Sequence, residues 1–172
     1  KVKKFNSKNI LYSVNLNNKK KRSSYYDYII DCSYIFQNQF KKTLKLPLKK
    51  KIYQKTIILE VVFDNCPDIG VAIMDGNFIS FLPKGHTNKF LIYDVKHSVL
   101  KKNINKIYPR SFNSPIPKKI KKISEKNILK NLNYFFPNLS VKKLVSYKIS
   151  DRVFDISKND QRLSKVQVYK DK

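Results

Sequence analysis

The chain has 172 residues, 41% of them hydrophobic and 13% aromatic, enough for one domain with a real core. Its formal net charge is +25 and it carries two cysteines, which excludes a disulfide framework and, by their spacing, a zinc knuckle. It holds no apolar run of the roughly 18–20 residues needed to span a bilayer as a helix and no signal-peptide pattern, so a cytoplasmic location is expected.

The charge invites a nucleic-acid reading, but its composition argues otherwise. Only Arg22, Arg110, Arg152 and Arg162 of the 37 basic residues are arginine. Ala occurs once and Gly three times, while Lys, Asn, Ile, Tyr and Phe abound. An A/T-rich coding bias supplies lysine along a whole chain without selection for a partner, whereas base and phosphate readers lean on the planar fork of Arg.

The amino-terminal residues 1–24 are polar and lysine-rich with one apolar cluster, Ile10, Leu11, Tyr12 and Val14, which predicts a strand or strand pair closed by the turn-like run 15–24. The run Tyr25 to Ser33 reads as a buried strand delivering a small-residue loop. Residues 41–51, basic and holding Pro47, read as a loop. The β-branched run 52–63 predicts a long strand. Short strands follow at 69–74, 78–82 and 90–95, separated by the turn signals Asp75-Gly76-Asn77 and Pro83 to Asn88. Residues 52–97 are thus expected to form an antiparallel meander. Residues 101–122 read as a linker. Ile128, Leu129, Leu132, Phe135 and Phe136 fall on one helical face, with Ser124 as N-cap and Pro137 as the stop. Strands are expected at 144–154 and 166–169. The expected class is α+β, mainly antiparallel sheet with one or two helices.

Tyr28-Ile29-Ile30-Asp31-Cys32-Ser33 resembles a strand and loop of FAD-dependent oxidoreductases of the D-amino-acid-oxidase type. The stretch Ile73 to Gly85, containing Met74-Asp75-Gly76 and Leu82-Pro83-Lys84-Gly85, resembles a strand pair of that family's substrate domain, and Phe90 to Ser98 resembles the next strand. Ile128 to Leu139 resembles a helix ending in a Pro-containing turn, and Asn159-Asp160-Gln161-Arg162 a segment preceding the last flavin contact, with Leu163 where the family has Pro.

The resemblance implies a fragment. Residues 1–40 would be a remnant of the FAD-binding domain, 41–160 the antiparallel substrate domain with a helix at about 124–136, and 161–172 the start of a return to the FAD-binding domain. Both ends look cut. It also implies hydride transfer from an amine or amino-acid-like substrate to flavin, chemistry that the cofactor supplies. Arg162 and then Arg152 would hold a substrate carboxylate, Phe78 and Ser80 would line the pocket, and Cys32 and Ser33 would lie near the FAD. Alternation on a strand puts Phe78 and Ser80 on one face and Ile79 and Phe81 on the other, so the first pair lines the pocket while the second packs behind, or the reverse. The glycine-rich G-x-G-x-x-G loop that cradles a pyrophosphate is missing, so the 172 residues alone are expected to bind FAD weakly or not at all and to be inactive. His86 and His97 read as turn and strand-end residues, and no metal site is expected.

Two non-enzymatic readings stand beside this one. A basic module could bind single-stranded nucleic acid, with rings stacking over lysine-neutralised phosphates, best at Lys19 to Arg22 beside Tyr25 and Tyr26. A structural or adaptor domain is the other.

Overall fold

A computed structural model describes residues 2–6, 10–14, 21–25, 30–73 and 78–156. Three short strands, β1 (Val2–Asn6), β2 (Ile10–Val14) and β3 (Lys21–Tyr25), form an antiparallel meander. After a 3-10 turn at Tyr34–Phe36 come α1 (Gln37–Thr43), β4 (Lys51–Phe63), β5 (Val71–Ala72), β6 (Ile79–Pro83), β7 (Phe90–Asp94) and β8 (Val99–Asn105). A second 3-10 turn at Arg110–Asn113 leads to α2 (Lys118–Phe135) and β9 (Val141–Asp155). The class is α+β, with a six-stranded antiparallel sheet as its body.

The thirteen-residue β4 is the centre of that sheet. It carries apolar side chains on both faces, with Ile52, Ile58 and Val62 set among Gln54, Thr56 and Glu60 on the even-numbered one, and it takes neighbours on both edges. Along one edge β9 pairs with it from Lys51↔Asp155 to Phe63↔Val141. Along the other, β8 pairs with its first half and β7 with its second. β6 joins β7, and the two-residue β5 closes that side. The expected meander therefore holds only for β5, β6 and β7. β4 lies between β7 and β9, because its long apolar run belongs in the interior and the short β5 suits an edge.

One face of the sheet is closed by α2. Ile57, Leu59, Val61, Phe63, Ile79, Phe81, Phe90 and Ile92 pack beneath Ile128 and Leu132. Further along the same face Tyr53, Tyr108 and Phe112 form a second cluster with Ile35 and Val153. Tyr108 donates to Asp151 Oδ2 at 2.6 Å, and Lys55 pairs with Asp151 at 2.8 Å. Burial and the Asp151 charge raise the Tyr108 hydroxyl above its ordinary range.

Other expectations need correction. Ile30 to Ser33 form no strand. The segment read as a loop from 41 begins inside α1. The helix expected at about 124–136 starts at Lys118, straight after Pro117. Its first turns are mostly lysine, a good helix former with no hydrophobic period to reveal it. Ser124 is therefore no N-cap but a buried residue inside the helix, donating to the His97 carbonyl at 2.5 Å. The stretch read as a linker contains β8, the second 3-10 turn and the start of α2. The expected strand at 166–169 and the turn at 75–77 lie outside the described residues.

Candidate binding face

The even-numbered residues of β4 point away from α2, and their register partners define the other face of the sheet. On it, Ser80, Tyr93, Ile58 and Lys148 lie side by side across β6, β7, β4 and β9. The next row holds Leu82, Leu91, Glu60 and Ser146. Among the described residues no helix covers this face. Ile58, Val62 and Leu91 are half-buried there, and Leu82 is 49% exposed.

Glu60 is the buried carboxylate of the face. Lys84 Nζ lies 2.7 Å from its Oε1 and Lys89 Nζ 3.6 Å, while Ser146 Oγ donates to Oε2 at 3.0 Å. The Lys84 hydrogen bond, with help from Ser146 and the two ammonium charges, outweighs desolvation and holds the carboxyl at about 2. Two lysines on one carboxylate leave this corner cationic. Lys143, Lys148 and Lys102, all exposed, add charge on β9 and β8.

The residues singled out from the sequence fall in three places. Phe78 and Ser80 are half-buried on the open face while Ile79 and Phe81 are buried under α2. Arg152, paired with Gln54, reaches over the face so that its guanidinium stacks on the Tyr93 ring at 4.1 Å and Nη1 donates to the Tyr93 hydroxyl at 2.5 Å. Ser80 Oγ approaches the Tyr93 carbonyl at 3.5 Å. Ser80 and Arg152 thus converge on Tyr93.

Cys32 and Ser33 do not join them. Both are partly or fully exposed in the segment before the first 3-10 turn, where Ser33 N donates to Asp31 Oδ1 at 2.9 Å. Tyr34 tethers that turn to Val153, at the Tyr53 end of β4, some five residues from the Ser80 row, or about 17 Å at 3.3 Å per residue. The turn that follows Cys32 and Ser33 therefore meets β9 beside Arg152, at the end of the sheet away from Ser80. Arg162 lies outside the described residues.

An open apolar groove of about 410 Å³ runs between the end of α2 and β5, lined by Cys66, Ile69, Val71, Phe81, Phe136 and Leu139. Burial, and then Asp68, push the Cys66 thiol up, which disfavours its thiolate. Among the described residues no three His, Cys, Asp or Glu side chains gather as a metal site, and no helix is long and apolar enough to cross a membrane.

Tyr93, Glu60, Lys84 and Lys148 carry the open face and were not picked out from the sequence. One signal was present: Ile52, Ile58 and Val62 alternate with the core residues of β4, so apolar side chains reach both faces of the strand. No family model, no curated protein and no solved structure matches this chain.

Proposed function

We propose that this chain is a non-catalytic docking domain, and that the open face of its six-stranded sheet receives an acidic polypeptide. The observation that carries the reading is the make-up of that face. Ile58, Val62, Leu82 and Leu91 form an aliphatic centre, with Lys84, Lys89, Lys102, Lys143, Lys148 and Arg152 around it and Glu60 already held by two lysines. An apolar sheet centre that no helix covers among the described residues favours a partner, and a cationic rim selects acidic ones and speeds their encounter.

The same rim would attract single-stranded nucleic acid, but that ligand gains affinity and register from bases stacked on free rings. Here the Tyr93 ring is already covered by Arg152, Phe78 is half-buried, and Ile58, Val62, Leu82 and Leu91 are aliphatic. Those features favour a polypeptide. The flavoenzyme reading rests on the sequence resemblance alone. A flavin absorption band in the purified chain would restore it.

The test is a fluorescence titration with an acidic peptide containing aliphatic residues, beside a single-stranded oligonucleotide of equal charge. The peptide should bind more tightly at moderate ionic strength, and Leu91→Asp should weaken it at least tenfold. Tighter oligonucleotide binding, with a steep salt slope and no response to Leu91→Asp, would replace the polypeptide reading with a nucleic-acid one.

A further inference from the structure

The fifteen residues of β9 hydrogen-bond to β4 along one edge, and among the described residues no strand pairs with the other edge. At its far end that edge is capped. Val153 N donates to the Tyr34 hydroxyl at 3.4 Å, which shows that the Val153 amide points away from β4. In an antiparallel strand the peptide groups alternate in direction, so Asp151, Ile149 and Tyr147 turn their N–H and C=O groups outward as Val153 does. Ser150 agrees with this alternation, since its carbonyl points inward and accepts from Thr56 Oγ1 at 3.1 Å. Three consecutive outward-facing residues make a ready template for one more strand.

We infer that the partner of the open face binds by adding a strand to β9 over Tyr147 to Asp151, and that this strand alternates acidic and apolar residues. The inference rests on the docking reading above and specifies its mode. Side chains on an added strand continue the two faces of the sheet. On the open face they meet exposed Lys148 and, further along, Lys143. On the other face, outside α2, they meet Ile149, which is 39% exposed. Every second residue should therefore be Asp or Glu, with Val, Ile or Leu between them. A nucleic acid has no peptide groups to fill the edge. The chain's own residues 157–172 carry five basic side chains against two aspartates, so their charge matches the edge in sign and disfavours them as its occupant.

Lysines also guard edge strands against self-association, and that role would need no partner. The two roles separate in one experiment with the full chain. A peptide of alternating Asp and Val is titrated beside a copy N-methylated on alternate backbone nitrogens, which keeps charge and shape but removes the ladder donors. Amide exchange of Tyr147, Ile149 and Asp151 is followed with and without the parent peptide. Strand addition gives binding by the parent, at least tenfold weaker binding by the N-methylated copy, and new protection at those three amides. Ile149→Pro, which deletes an outward donor at an edge position, should reproduce the loss. Equal binding of the two peptides would overturn strand addition while leaving an acidic ligand on the open face. Protection of the three amides without peptide would overturn it too, because the edge would be occupied by the chain itself. No binding of either peptide would remove the docking reading together with the inference.

Discussion

Asn131, on α2, donates its side-chain amide to Asp94 Oδ2 at 2.5 Å, and this pair fixes the helix to the one interruption along the edge of β4. β7 and β8 run in the same direction along that edge, joined by the short excursion from Asp94 to Ser98. Asp94 is fully buried, and its Oδ1 accepts from the Lys96 and His97 amides. Ser98 Oγ accepts from the Asp94 amide, and Ser124 donates to the His97 carbonyl, so a second residue of α2 grips the same loop.

Removing the carboxylate orphans two backbone amides and the Asn131 side chain together. Asp94→Ala is expected to cost about 3 kcal/mol or more, and Asn131→Ala roughly 1–3 kcal/mol because the backbone donors keep their acceptor. Urea unfolding followed by circular dichroism checks both, and equal losses from the two variants would contradict this account.

Two neighbouring tyrosines should respond in opposite directions. Tyr53 is 1% exposed, and its hydroxyl has no hydrogen-bond partner among the described residues, so Tyr53→Phe should raise stability by about 1 kcal/mol. Tyr108→Phe loses a bond to a charged acceptor and should cost roughly 1.5–3 kcal/mol. The hydroxyls of Tyr108 and Tyr147 are both raised, Tyr147 to about 12 by its bond to Glu125 and by burial. A raised folded value stabilises fully below the unfolded value of about 10 and is lost as pH climbs through the folded one. Stability should thus fall above about pH 10, less steeply in Tyr108→Phe and Tyr147→Phe. Unfolding midpoints from pH 8 to 12 provide the check.

Glu60 works at the other end of the pH scale. Its folded value of about 2 lies below the ordinary carboxylate value of 4.5, so its contribution is complete above the latter and is lost as pH falls towards the former. Glu60→Gln should flatten the acid side of the stability profile between those limits. The variant also frees Lys84 and Lys89, so acidic peptide should bind it more tightly at neutral pH. An acid limb identical to that of the parent chain would mean that the carboxylate is not held as its contacts indicate.

Much of the sheet is legible from residue types. The β-branched run of β4 and the alternation in β6 and β7 mark those strands, and the same alternation separates Ser80 from Phe81. The helix was legible only where it touches the core, at Ile128 and Leu132. Its lysine-rich start faces water, and water imposes no period. α1, with the sequence Gln-Asn-Gln-Phe-Lys-Lys-Thr, is hidden for the same reason. Its anchor is tertiary, through Asn38 donating to the Lys49 and Lys106 carbonyls. The meeting of Arg152 with Tyr93 was not legible, because it depends on β4 lying between β7 and β9. Chain order suggests β5 as the neighbour of β4, and only the two-sided apolar character of β4 speaks for the interior place.

That placement bears on how the chain reaches its native state. The ladder between β4 and β9, which closes the second edge of the central strand, joins residues roughly 80–100 positions apart. While the intervening chain is being synthesised, β4 can recruit β7 and β8 but must leave its other edge unsatisfied. Ile52, Ile58 and Val62 wait beside that edge, in a form prone to pair with a neighbouring chain. A pause in translation after α2 should therefore be more hazardous than one after β9, and a chaperone that shields strands should engage this chain during that interval.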